Sequence, residues 1–79
     1  YKAPGGLIRA VVELEEGIIR HAELSGDFFF YPAERLADLE RALEGAPIGE
    51  AGELIARFYE AQHIESPGVT PADFVRALG

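Results

Sequence analysis

The side chains that could perform chemistry in this chain are few, and their spacing argues against an active site of its own. The only histidines are His21 and His63, which stand far apart and form no HExxH-type metal motif. We expect one on a strand surface and the other near a helix end. The absence of cysteine removes thiolate nucleophiles, cysteine-ligated zinc and iron–sulfur clusters. Among candidate hydroxyl nucleophiles, Ser25 and Ser66 fall in loop or turn sequences and Thr70 suits a helix cap. We therefore predict no catalytic and no metal-binding residue.

Length and charge restrict the class of protein further. With 79 residues and 48% apolar residues, the sequence predicts a single domain spanning residues 1–79. Fourteen acidic against seven basic residues give a net charge of -7, which disfavours nucleic acid and anionic membranes as partners. No apolar run approaches the length of a membrane span and no signal-peptide pattern opens the chain, so we expect a cytoplasmic protein.

The segment around Lys2 is the first candidate for binding. Lys2 is the only lysine, and Pro4-Gly5-Gly6 follows it closely. This glycine pair could bring backbone near a phosphate, but it lacks the P-loop spacing and precedes a strand rather than a helix. Two interpretations stay open: Lys2 reaches a phosphate in a site that another protein supplies, or it is a solvated terminal residue.

The second candidate is the run that follows Gly26-Asp27, where four aromatic residues, Phe28 to Tyr31, stand in succession. The run predicts either a short third strand or an aromatic plug that leads into a helix, after a turn at Ser25-Gly26-Asp27. If the segment is extended, Phe28 and Phe29 point to opposite sides, so that one enters the core and the other anchors a partner. Core packing alone is the alternative.

The elements that position these segments follow from hydrophobic periodicity. Alternation predicts strands at Gly6–Leu14 and Ile18–Ser25, with a bulge near Arg20-His21. The intervening Glu15-Glu16-Gly17 suits a short loop with a bulge better than a two-residue primed turn. Three helices are predicted after the strands. The first helix begins at Pro32, ends at Gly45 and has a buried face of Leu36, Leu39 and Leu43. The second has a buried face of Leu54, Ile55, Phe58 and Ala61. In the third, Thr70 is the cap, Pro71 is the first residue, Asp73 is third after the cap, Val69 and Phe74 form a hydrophobic staple, and the buried face is Phe74, Val75 and Leu78. The fold class is therefore α+β, with a small antiparallel sheet of two or three strands followed by three helices packed on one face.

Several segments together resemble a known family. The segments are Lys2-Ala-Pro-Gly-Gly-Leu-Ile-Arg9, Gly17-Ile-Ile19, Ser25-Gly-Asp-Phe-Phe29 and the helix with Leu36, Leu39 and Leu43 that ends at Gly45. In this order they resemble the C-terminal accessory domain of lipoate-protein ligase, which in some organisms is a separate small subunit. The resemblance covers most of the chain and is tightest from Lys2 to Gly45. It implies an α+β domain, either a separate subunit or the C-terminal domain of a longer ligase.

The resemblance also implies a function. In this family the large catalytic part holds ATP, magnesium and lipoate, and the accessory part is required with it to form lipoyl-AMP. We therefore expect no cofactor on this chain alone, a large catalytic subunit as direct partner and lipoyl-acceptor proteins as indirect partners. The expected interface or joint-site residues are Lys2, Gly5, Gly6, Gly26, Asp27, Phe28 and Phe29. The alternatives are a generic small acidic protein-interaction module without a catalytic role and, less favoured, a stand-alone enzyme.

Overall fold

A three-stranded antiparallel sheet is followed by three α-helices in the computed structural model, which describes residues 1–79. The elements are β1 (Lys2–Ala3), β2 (Gly6–Glu15), β3 (Ile18–Asp27), α1 (Arg35–Leu43), α2 (Ala51–Gln62) and α3 (Pro71–Leu78), with one 3₁₀ turn at Ile48–Glu50 before α2. The strand order is β1-β2-β3. The predicted α+β class is confirmed. No helix is both long and apolar enough to cross a membrane.

The β2–β3 hairpin contains the predicted bulge but a different turn. Glu13 stands opposite His21 and Leu14 opposite Ile19, so Arg20 is the extra residue on β3, within the predicted position. Glu15 pairs with Ile18, which leaves a loop of only two residues. Both have positive φ, 53° at Glu16 and 77° at Gly17, as in a type I′ turn. The predicted bulged loop is wrong, because a primed two-residue turn matches the right-handed twist of the strands.

The third strand lies at the N-terminus and not in the aromatic run. β1 pairs with the start of β2, with Lys2 opposite Leu7 and Ala3 opposite Gly6. The predicted turn at Ser25-Gly26-Asp27 is also wrong, since these residues complete β3 and pair with Leu7, Ile8 and Arg9. A glycine can continue a strand where another backbone approaches closely, so a residue typical of turns here belongs to the ladder.

The core lies between one sheet face and the helices. Its fully buried side chains come from every layer, and the largest are Ile8, Ile19, Leu39, Leu43, Ile55 and Phe74. On the opposite sheet face Arg9, Val11 and Glu23 are exposed. The free edge of β3 is covered by the segment after α1, where the Ile19 amide donates to the Ala46 carbonyl at 2.9 Å. The helices therefore cover a single face, as predicted.

The helix predictions are partly confirmed. The α3 cap is confirmed in full, because the Thr70 hydroxyl accepts from the Asp73 amide and the Asp73 carboxylate accepts from the Thr70 amide. Val69 and Phe74, the predicted staple pair, are both buried. The first helix begins at Arg35 and not at Pro32, because the Pro32 carbonyl accepts from the Arg35 amide in a preceding turn.

Two predicted core residues are exposed. Ala61 faces solvent because the inner side of α2 is formed by Ala51, Ile55 and the partly buried Tyr59. Val75 is 38% exposed, since α3 directs Phe74 into the core and leaves the next residue outside. The inner faces of α2 and α3 meet where the rings of Tyr59 and Phe74 lie 6.4 Å apart, and Ala61 and Val75 lie outside that contact.

Candidate functional site

The two segments singled out from the sequence meet at one end of the sheet. Leu7 stands opposite Asp27 on β3 and opposite Lys2 on β1, so Lys2, Leu7 and Asp27 form one row across the three strands. Gly26 occupies the next row, opposite Ile8. Directly opposite residues of an antiparallel pair project to the same face, which places Lys2 and Asp27 on the outer face. The structure therefore joins the N-terminal turn and the end of β3 into one site.

The candidate glycines hold backbones close together. A Cβ atom on Gly6 would lie 1.7 Å from the Asp27 carbonyl oxygen, and one on Gly26 would lie 2.0 Å from the Leu7 oxygen. Both residues also have positive φ, near 140°. Gly5 donates its amide to the Gly68 carbonyl at 2.8 Å. These contacts show that the three glycines set the shape of the site by allowing close packing of its backbone.

The loop between α2 and α3 supports both segments, and sequence reasoning missed this role. Glu65 forms two backbone hydrogen bonds with Tyr31, at 2.8 and 2.9 Å, while Gly68 bonds to Gly5. Ser66 bridges the loop to α2, because it accepts from the Tyr59 hydroxyl and donates to the Val69 carbonyl, each at 2.7 Å. Burial raises the pKa of Tyr59, and the Ser66 hydrogen bond opposes that rise. The turn signal Ser66-Pro67-Gly68 was visible in the sequence, but its contacts were not.

The aromatic run alternates between the core and solvent. Phe30 is 5% exposed and meets Tyr59 and Phe74 edge-to-face, at 5.9 and 6.1 Å between ring centroids. Phe28 is half-buried, with its ring 5.6 Å from that of Phe74. Phe29 and Tyr31 are 63% and 51% exposed, and their rings stack at 5.9 Å with 11° between planes. Phe28 therefore points inward and Phe29 outward, although the run forms no strand and its backbone pairs with another segment only at the isolated Tyr31–Glu65 bridge.

A shallow cavity of about 370 Å³ adjoins this stacked pair. It lies between the aromatic run, the end of β3 and the start of α1, and most of its lining is apolar, including Phe29, Tyr31 and Leu36. Exposed aromatic rings beside an apolar depression are typical of the centre of a protein interface. The arrangement can therefore bind an apolar side chain of a partner.

The carboxyl groups with shifted pKa values serve local structure. The backbone amide of Thr70 lowers the pKa of Asp73 within the α3 cap, and hydrogen bonding from Arg35 lowers the pKa of Asp38, with Arg41 adding to the effect. Asp38 thus links two arginines on the exposed side of α1.

His21 lies between two carboxylates on the surface. Its Nε2 is 3.3 Å from Glu23 and its Nδ1 is 3.4 Å from Glu44. Hydrogen bonding to Glu23 raises the pKa of His21, and the charges of Glu23 and Glu13 add to the effect. His63 instead ends α2 in the left-handed conformation, at φ 52°. No group of three or more His, Cys, Asp or Glu side chains is placed to hold a metal ion.

Comparison with known proteins agrees with this architecture. Residues 1–78 match the family described as bacterial lipoate protein ligase C-terminus, and the chain belongs to that family. Among individual relatives, it is 40% identical over 78 residues to lipoate-protein ligase A subunit 2 of Thermoplasma acidophilum, covering 99% of this chain and 82% of the relative.

A solved structure supports the same assignment. It comes from an archaeal lipoylation system of Thermoplasma acidophilum, described as a bi-partite lipoate protein ligase and its E2 lipoyl domain. The TM-score is 0.94 at 39% identity, and the match covers 100% of this chain and 89% of the other. The resemblance noted in the sequence is therefore confirmed, whereas the assignment of the seven interface residues stays a prediction.

Proposed function

We propose that this chain is the accessory component of a two-part lipoate-protein ligase and that it acts only in complex with a large catalytic subunit. The observation that carries the proposal is the match over the whole domain, with residues 1–78 in the family and a TM-score of 0.94 to a chain from a bi-partite ligase system. A generic acidic interaction module would not need to resemble a lipoate-protein ligase along its whole length, so the same match favours the accessory role.

The complex would catalyse a reaction in two steps. The catalytic subunit holds ATP, magnesium and lipoate; the lipoate carboxylate attacks the α-phosphate of ATP, pyrophosphate leaves, and lipoyl-AMP forms. An acceptor lysine then attacks the lipoyl carbonyl and AMP leaves. We assign the accessory chain to the first step, where closing over the partner's site excludes water from a reactive acyl adenylate.

The stacked rings of Phe29 and Tyr31 and the cavity beside them, together called the aromatic site, supply a surface for this role. Phe29 and Tyr31 present stacked rings to solvent, while Phe28 and Phe30 hold the same segment in the core. The backbone bridge from Tyr31 to Glu65 fixes the segment at its other end. A rigid exposed pair loses little conformational entropy on binding, so it favours a defined complex over a transient contact.

The experiment that tests the proposal is reconstitution. The purified chain is mixed with a large catalytic subunit of the family, and two reactions are assayed: formation of lipoyl-AMP from ATP and lipoate, and transfer from supplied lipoyl-AMP to an acceptor domain. We expect the chain to be inactive alone, not to bind ATP or lipoate alone by calorimetry, and to be required for the first reaction. A complex whose activation rate does not change would favour the interaction module, and activity of the isolated chain would favour a stand-alone enzyme.

A further inference from the structure

The basic side chains of this domain divide into two groups. Five arginines each form an ion pair with a carboxylate of the same chain: Arg20, Arg35, Arg41, Arg57 and Arg76. The other two of the seven, Lys2 and Arg9, form none and are exposed. In a chain of net charge -7, these two are the basic side chains that form no ion pair.

Lys2 and Arg9 also lie side by side. Lys2 is directly opposite Leu7, and Arg9 is two residues further along β2, so all three share the outer face of the sheet. This diagonal relation places the two residues about 7–8 Å apart, within reach of one ligand for such long side chains. On β3, Ser25 is directly opposite Arg9, and the carboxylates Asp27 and Glu23 are diagonal to it on the same face, yet neither forms an ion pair with Lys2 or Arg9, and Glu23 pairs with His21.

Apolar residues frame the two cations. Leu7 is half-buried between them, and Val11, the next outward residue of β2 after Arg9, is 57% exposed. We define Lys2, Leu7, Arg9 and Val11 as the cationic patch. Asp27, in the same row as Lys2 and Leu7, directly precedes the aromatic run, so the Lys2–Leu7 end of the patch lies next to the start of that run.

The shape of the patch distinguishes between classes of anion. Small charged ligands are normally held in concave sites, but none of the three cavities of the domain is lined by Lys2, Leu7, Arg9 or Val11. An open sheet face with two cations and two aliphatic side chains suits a protein surface of opposite charge.

We propose that the cationic patch docks an acidic segment of the catalytic subunit, with carboxylates pairing with Lys2 and Arg9 and aliphatic atoms covering Leu7 and Val11. This inference rests on the proposed function, because it requires that partner. Because the chain has a net charge of -7, its two cations without an ion pair give an acidic partner one favoured point of contact, so the patch orients the docked domain.

The test measures the dissociation constant of the complex between the full chain and the catalytic subunit, by calorimetry at low and high ionic strength. The double variant Lys2→Glu/Arg9→Glu is compared with Arg20→Glu/Arg57→Glu, which changes the net charge equally at cations already paired on other parts of the surface. We expect the first variant to weaken binding at low salt by about 10-fold or more and to reduce its salt dependence. The second should change the dissociation constant by less than about 3-fold. Thermal melts verify that both variants fold.

Four results would overturn the inference. Equal weakening by the two double variants would show a general effect of net charge. Unchanged binding by Lys2→Glu/Arg9→Glu, combined with loss of lipoyl-AMP formation, would assign the cations to a nucleotide phosphate instead of a protein carboxylate. Failure of the unmodified chain to bind the catalytic subunit would refute the proposed function itself and this inference with it, whereas normal binding of every variant would refute the inference alone.

Discussion

The alternation within the aromatic run predicts that two neighbouring phenylalanines have separate roles. Phe29→Ala should weaken the complex with the catalytic subunit and leave folding almost unchanged, because 63% of Phe29 is already exposed. Phe30→Ala should instead destabilise the domain, because Phe30 is 5% exposed and packs on Tyr59 and Phe74.

The magnitudes follow from burial. Taking about 200 Å² for a phenylalanine side chain, the exposed part of Phe29 leaves about 125 Å² for a partner to cover, or about 3 kcal/mol at about 25 cal/mol/Å². Incomplete coverage reduces this to about 2 kcal/mol, which is roughly 30-fold in the dissociation constant. For Phe30→Ala, loss of a buried ring costs about 3–5 kcal/mol, a large share of the roughly 4–12 kcal/mol that stabilises a domain of this size.

Two measurements on the same preparations separate these effects. Urea denaturation gives the free energy of unfolding, and calorimetry with the catalytic subunit gives the dissociation constant. Val75→Ala is the control, because Val75 is also exposed but lies on α3, outside the aromatic site. Binding of Phe29→Ala as tight as that of the unmodified chain, or a loss of stability equal to that of Phe30→Ala, would refute the separate roles of the two residues.

Three further predictions concern the stability of the isolated domain. The raised pKa of His21 means that its charged form stabilises the fold fully below about pH 6.5, the ordinary value, and that this stabilisation is lost as pH rises through the raised pKa. The melting temperature of the unmodified domain should therefore fall across that pH range, and His21→Gln should lack this fall. An unaltered fall in His21→Gln would contradict the assignment. Thr70→Ala removes the α3 cap and should cost about 1 kcal/mol, or about 4–8 °C in Tm, and an unchanged Tm would show that the cap contributes little. Gly6→Ala should prevent native folding, because the added Cβ would overlap the Asp27 carbonyl, whereas the Cβ of the control Gly49→Ala meets open space. Circular dichroism should show a native spectrum only for Gly49→Ala, and native spectra for both variants would refute close packing at Gly6.

Local patterns in the sequence determined most of the elements. Alternation at Gly6–Leu14, the bulge near Arg20 and the capping box from Thr70 to Asp73 all depend on contacts between residues close in sequence or in one hairpin, and each was predicted correctly. The inward leucines of α1 were also predicted correctly. The order of the motifs, from the Lys2–Arg9 segment to the leucine helix, was sufficient to suggest the family.

Long-range packing decided the remainder. The sequence could not show that Gly26 extends β3, because its place in a strand depends on the close approach of Leu7 from β2. It could not show that the loop between α2 and α3 binds Gly5 through Gly68 and Tyr31 through Glu65, since these partners are far apart along the chain. Nor could it show that Lys2 and Arg9 form no ion pair, because ion pairing depends on which carboxylates the fold brings near. Each of these features is a contact between distant segments, and only the tertiary structure determines such contacts.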